Sequence, residues 1–317
     1  MLEIRERRPG ELPLQVDIYN AAHPPDFRLG VEEARSWESV ETPEDRVLRL
    51  LAFEDGVAAG AGVILHRTGR FVPGRFRIDV SVRPEYQRQG IGRALYYHLL
   101  AAARAGGATT FECSVIETEL PKIEWCLHQE DFHEVTRMRP SKLALATFDP
   151  EQHRDAAARA AATGVTFTTL RRDPSEADLR KLWGLVTLAE RDVPHHDTPR
   201  PDEPFERFRQ RLAAPHILRD CLVIARDGDD YVGFTIVGHD GAERAHTMMT
   251  GVHPAYRNRG IATELKIRCA ILLKRHGYKT MRTFNHVTNP AMLAVNTRLG
   301  YVPLPEVVIF VKTTCSR

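Results

Sequence analysis

The chain has 317 residues, of which 43% are hydrophobic and 27% charged; that balance excludes wholesale disorder and fibrous repeats, and the length favours two domains over one. Forty-four basic against forty-two acidic residues leave a formal charge of +2, which argues against nucleic acid or an anionic membrane as the main partner. Only seven of the basic residues are Lys, and the Arg residues are scattered along the chain, so they form no anion-binding stripe.

The amino-terminal MLEIRERRPGELPL carries no apolar signal segment, and no stretch approaches the roughly 18 apolar residues of a membrane helix. The five cysteines, Cys113, Cys126, Cys221, Cys269 and Cys315, contain no CxxC pair, so neither a disulfide framework nor a zinc knuckle is expected. A cytoplasmic protein without a metal fits these features.

In chain order, a short strand is expected at Leu2 to Arg5, followed by a helical stretch. LLAFEDGVAAGAGVIL (50–65) then reads as two apolar strands around a Gly/Asp turn. A strand running into a glycine loop precedes the amphipathic helix GIGRALYYHLLAAARAGG, which closes on glycine. An apolar strand from Thr109 to Val115, another helix and a last strand complete the series. Residues 148–164, FDPEQHRDAAARAAATG, read as a linker or short connecting helix.

The same order then repeats: a strand at Thr166 to Arg171, the hairpin LVIARDGDDYVGFTIV (222–237), a glycine loop, the helix GIATELKIRCAILLKRHGY and a strand at Thr280 to Asn285. PHHDTPRPDEP (194–204) is expected as a loop inside the second copy. VRPEYQRQGIGRAL from Val82 recurs without a gap as VHPAYRNRGIATEL from Val252, an offset of 170 residues. The expected fold class is α/β, a mixed sheet with helices on its faces, in two tandem domains at 1–148 and 165–317 joined by 149–164.

At each strand-to-helix junction, glycine admits close approach of a ligand, while the free N–H groups and dipole of the helix's first turn favour an anion such as a diphosphate. A Walker loop would end in Gly-Lys-Ser/Thr, and a dinucleotide fingerprint would need GxGxxG with a later acidic residue; neither copy has them. A glycine kept only for helix packing would not be expected to recur in register.

The segment Val-x-Pro-x-Tyr-Gln/Arg-x-x-Gly-Ile-Gly/Ala resembles the acetyl-CoA signature of the GNAT superfamily of N-acetyltransferases, and the resemblance to its tandem bacterial members covers both halves. It implies a twisted, largely antiparallel sheet with a splayed central strand pair in each domain, the backbone at Val80 and Val82, and at Thr250 and Val252, pairing with the pantetheine arm. The pyrophosphate of acetyl-CoA would lie on Gln87, Arg88, Gln89, Gly90, Ile91, Gly92 and Arg93, and on Arg257, Asn258, Arg259, Gly260, Ile261, Ala262 and Thr263.

Family members often place Asn and, seven residues on, Tyr in the helix after the fifth strand. The second copy has Asn289, assigned to the coenzyme, but Asn296 in place of the Tyr that commonly protonates the departing thiolate; an amide cannot do that. The first copy is read with Leu120 and Leu127 at these positions and Asp131 for the following Gly, so catalysis is expected in the second domain.

The expected reaction is acetyl transfer to a primary amine of a small molecule, by a monomer or homodimer. Asn296, His246 and Glu190 are the candidate catalytic residues, with Asp192, His195, His196, Glu243, Asn285 and His286 bordering the cleft. Glu190, Asp192, Asp197 and Asp202 form an acidic cluster that suits either a cationic amine or a solvated loop. In the first copy Asp79, Glu112 and Glu117 hold comparable places; Cys113 is a packed thiol, and Trp37, Trp125 and Trp183 are core residues of helices. A catalytically silent acyl-CoA sensor stays open as the alternative.

Overall fold

The computed structural model describes residues 1–67, 72–129, 131–170, 174–193, 202–239, 241 and 243–313. These fall into two compact units.

The first unit opens with β1 (Leu2–Glu6), α1 (Leu12–Ala22) and α2 (Val31–Glu38), then β2 (Arg46–Glu54), β3 (Val57–His66) and β4 (Arg75–Val82). The β1–β4 strands form an antiparallel meander in sequential order. It continues with α3 (Ile91–Ala105), β5 (Thr110–Ile116), which runs parallel to β4, and α4 (Leu120–Gln129). Gly60 and Gly62 let α3 lie close on β3: an added Cβ would stand 2.9 Å from Leu95 Cδ1 and 2.8 Å from Leu99 Cδ1 respectively. The core gathers Ile78, Ile91, Leu95, Leu99 and Phe111 between sheet and helices.

β6 (His133–Ala144) enters the second unit from Met138 onward. That unit holds α5 (Arg154–Ala161), β7 (Thr166–Thr169), α6 (Glu176–Glu190), α7 (Phe205–Ala213), β8 (Val223–Asp227), β9 (Asp230–His239), β10 (Arg244–Val252), α8 (Ile261–Arg275), β11 (Thr280–His286), α9 (Pro290–Arg298) and the short β12 (Val302–Pro303). β7 to β10 pair antiparallel in sequence order, and β10 pairs parallel with β11. α6 starts at a capping box in which Ser175 and Asp178 satisfy each other's backbone N–H.

Two boundaries differ from the sequence reading. β11 is flanked by Met138–Ala144, the end of the first repeat's last strand, and β5 is flanked by β13 (Val307–Thr313), the last strand of the second repeat. Among the described residues the units therefore comprise 1–137 with 306–313, and 138–193 with 202–305, instead of 1–148 and 165–317. The expected linker 149–164 belongs to the second unit, where Ala156 and Ala160 of α5 are buried and α5 packs on α8.

One core expectation is corrected. Trp37 is 45% exposed, because α2 buries Glu33, Ala34 and Ser36 and turns its C-terminal indole outward. Trp125 packs at the edge of the first core, and Trp183 Nε1 donates to the Glu203 carbonyl at 2.8 Å.

Candidate active site

The two glycine loops have one geometry. A turn of 3-10 helix follows the strand, then Arg88 at φ 65° and Gly90 at φ 86°, or Asn258 at φ 62° and Gly260 at φ 83°, lead into α3 or α8. Left-handed residues alternating with ordinary ones turn neighbouring N–H groups toward one concavity, an anion nest set on a helix N-terminus.

The side chains around it divide by task. Gln87 Nε2 donates to the Val82 carbonyl at 3.0 Å and Arg257 Nε to the Val252 carbonyl at 3.1 Å, each tying the loop to its strand. Gln89 Nε2 donates to the Glu85 carbonyl at 3.1 Å. Ile91, Ile261 and Thr263 are buried anchors, so what they offer a ligand is backbone. Gly92 lies close under β4, its absent Cβ 3.4 Å from Val82 Cγ2; Ala262 takes the matching place. Arg88, Arg93, Asn258 and Arg259 are exposed; the Arg259 guanidinium stands 5.3 Å from the Tyr256 ring centre.

Beside each loop the sheet splits. β4 pairs with β5 only over Arg75–Arg77 against Thr110–Glu112, and β10 with β11 only over Arg244–Thr247 against Thr280–Thr283. Arg83 N–H donates to Ala59 O, and His253 N–H to Val232 O, both at 2.9 Å. By the two-residue alternation of an antiparallel ladder, Val80 and Val82, and Thr250 and Val252, turn their backbone groups toward the gap. In β10 a bulge between Thr247 and Met249 falls where pairing with β11 stops.

His246 is the residue before the last paired position of β10, opposite Arg282 and with its ring 5.3 Å from that of Phe284. It thus stands at the apex of the split. Glu190 is the last residue of α6, which packs on β9 and β10. Asn296 is 2% exposed; its Nδ2 donates to Asn285 Oδ1 at 2.7 Å, and its own Oδ1 is buried without a hydrogen-bond partner among the described residues. Asn289 Oδ1 accepts from Met292 N–H at 3.2 Å, so the side chain assigned to coenzyme caps α9.

Two members of the acidic cluster are paired with arginine: Asp192 with Arg257, and Asp202 with Arg191, whose guanidinium holds the Asp202 carboxyl below its ordinary value. Glu243 pairs with Lys279 at 2.6 Å. His286 Nδ1 lies 3.2 Å from Thr288 Oγ1. His195, His196 and Asp197 lie outside the described residues.

The element bounds keep the repeat offset of 170 from α3 and α8 through β5 and β11 to the start of α4 and α9. Asn289 and Asn296 therefore correspond to Glu119 and Cys126, not to Leu120 and Leu127. Reading the first repeat one residue late hid both. Cys126 Sγ lies 3.6 Å from Cys113 Sγ, and the contact with Cys126, together with burial, pushes the Cys113 thiol up, so it is no thiolate nucleophile. Asp79 lies 4.0 Å from Arg77 and Glu112 3.7 Å from Arg75. Glu117 Oε1 accepts from Glu306 N–H at 2.7 Å.

Sequence reasoning also passed over His23, just after α1. Its Nδ1 lies 2.7 Å from Glu119 Oε1 and its Nε2 3.2 Å from Ser81 Oγ. Residues 23, 81 and 119 are too far apart in sequence for any local signal. Among the described residues there is no cluster of His, Cys, Asp or Glu suited to a metal, and no helix long and apolar enough to cross a membrane.

The profile of the acetyltransferase (GNAT) family matches residues 15–126 and 184–301, more than half of the sequence. The chain belongs to that family. It is 32% identical over 101 residues to a mycothiol acetyltransferase of Pseudarthrobacter chlorophenolicus, covering 30% of each chain. It is 26% identical over 135 residues to one of an Arthrobacter species, covering 40% of each. These matches thus span well under half of either relative's length.

The fold is shared with a tandem GNAT protein from the clavulanic acid biosynthesis pathway, at TM-score 0.76 and 19% identity over 100% of both chains. It is shared also with a GCN5-related N-acetyltransferase from Sphaerobacter thermophilus, at TM-score 0.75 and 18% identity over 98% of this chain and 95% of that one.

Proposed function

We propose that the chain transfers an acetyl group from acetyl-CoA to a primary amine of a small molecule, and that the second copy carries the reaction. The observation that carries the reading is the apex placement of His246, in line with the gap between β10 and β11 and the nest at Arg257 to Thr263. The nest takes the pyrophosphate, the backbone of Thr250 and Val252 takes the pantetheine amides, and the thioester then lies toward the apex. His246 removes a proton from the incoming ammonium, and the neutral amine attacks the carbonyl directly; the tetrahedral intermediate expels the thiolate.

Asn296 cannot supply the thiolate's proton. Its amide orders Asn285 on β11, and the proton comes from the attacking nitrogen or solvent. The same feature supports the second reading, a silent acyl-CoA sensor. The two separate on incubation with acetyl-CoA and an amine library while free thiol is followed. Amine-dependent thiol release lowered about 100-fold in His246→Gln, with acetyl-CoA affinity retained, is the expected result. Binding without turnover favours the sensor.

A further inference from the structure

The acetyl-transfer reading leaves unused a buried polar relay in the first unit. Ser81 lies on β4 four residues past Arg77, the last residue paired with β5. Glu119 lies beyond the end of β5, ahead of α4, and His23 comes from the end of α1. With Nε2 at 3.2 Å from Ser81 Oγ and Nδ1 at 2.7 Å from Glu119 Oε1, the imidazole joins the two diverging strands across the mouth of their gap. Ser81 is 4% exposed, and the side chains of His23 and Glu119 are 6% and 11% exposed.

The parts are held for one arrangement. Burial pushes the Glu119 carboxyl up, but His23 and Lys122, whose Nζ is 3.2 Å from both oxygens, outweigh it and keep the carboxyl below its ordinary value. With the Glu119 carboxylate 2.7 Å from Nδ1, the tautomer that the relay requires carries its proton on Nδ1 and leaves Nε2 as the acceptor facing the serine hydroxyl. The Tyr19 ring lies 4.1 Å from the imidazole centre and sets its plane. The fold does not need this relay: the repeat offset puts Gly251 and Asn289 at the positions of Ser81 and Glu119. A nucleophile within reach of a base that a third group orients is the general pattern of nucleophilic catalysis.

We propose that the first copy cleaves acyl-CoA thioesters through an acyl ester on Ser81, a reading that rests on acyl-CoA occupying the first split. His23 Nε2 takes the hydroxyl proton as Oγ bonds to the thioester carbonyl carbon. The C–S bond breaks, and the proton passes from Nε2 to sulfur, freeing coenzyme A as a thiol. Water, deprotonated by His23, then attacks the ester; the C–Oγ bond breaks, Oγ regains its proton from Nε2, and acetic acid leaves.

The test is incubation of the full chain with acetyl-CoA and no amine, following free thiol and, after acid quench, the mass of the peptide containing Ser81. Coenzyme affinity is measured by calorimetry on the same sample. Expected are thiol release without amine and one acetyl on that peptide. In Ser81→Ala, release falls by at least about 100-fold while coenzyme affinity and melting stay as in the parent chain.

Acetyl-CoA bound with no amine-independent release, or release unchanged in Ser81→Ala, overturns the relay and leaves amine acetylation standing. No coenzyme binding by the parent chain overturns both. Should Ser81→Ala fail to fold, Ser81→Cys and Glu119→Gln decide: the first is expected to keep the acyl adduct and the second to slow its formation, and an adduct unaffected by Glu119→Gln counts against the relay.

Discussion

At Lys266 an ammonium group lies inside the second core, 1% exposed, with no hydrogen-bond partner among the described residues and its Nζ 4.7 Å from the Tyr301 ring centre. Burial lowers its pKa from the ordinary 10.5 to about 8. The unfolded chain holds this proton more tightly than the folded one. The penalty is therefore complete below about pH 8 and disappears as pH rises toward 10.5. Lys266→Met is expected to raise stability by about 1–3 kcal/mol at neutral pH. In paired thermal melts, the gap between variant and parent should close between pH 8 and 10.5; a gap independent of pH would contradict this. From sequence, GIATELKIRCAILLKRHGY reads as an amphipathic helix. α8 in fact buries Thr263 to Ile267 as a continuous run, which periodicity alone cannot reveal when a second element, here α5, covers another face.

The glycine loops show what an element's sequence can disclose. Their recurrence placed two strand-to-helix junctions, and Arg88, Gly90, Asn258 and Gly260 take the positive φ that a tight nest demands. Their different surroundings were not legible. An added Cβ at Gly90 meets nothing within 4 Å, whereas at Gly260 it stands 3.1 Å from the Ala156 carbonyl of α5. Gly90→Ala should therefore cost about 1–2 kcal/mol through its left-handed backbone alone. Gly260→Ala adds a backbone clash and should lower the denaturant midpoint further; equal losses would mean that α5 is not seated as described. At Gly251 a Cβ would stand 2.7 Å from both Ala189 Cβ and Phe234 Cε1. Gly251→Ala should cost about 1–3 kcal/mol by overpacking β10 against α6, measured by urea unfolding. The relay of the first unit was less legible than the loops, because His23, Ser81 and Glu119 meet only after α1, β4 and the end of β5 are assembled.

For the whole molecule, the consequence the repeat did not announce is where its last strands go. β13 ends the second repeat yet lines β5 along all seven of its residues, and buries Val308 and Phe310 completely in the first unit's core. Such side chains are each worth about 1.5–3 kcal/mol, so a chain ending at Pro305 should lose the first unit's cooperative unfolding while the second unit's transition persists, as read by calorimetric melting; an unchanged thermogram would contradict this strand assignment. The repeat could be read from the recurring glycine-loop segment and the mixed α/β class from hydrophobic patterning, whereas partner choice for the final strands depends on long-range packing that no local segment records. Acyl transfer from acetyl-CoA to an amine is tested by following free coenzyme A thiol in the presence and absence of primary amines, with the acetylated product identified by mass. Thiol release that rises with amine and matches acetylated amine one for one is the predicted result; no acetyl-CoA binding, or thiol release indifferent to every amine offered, would contradict it.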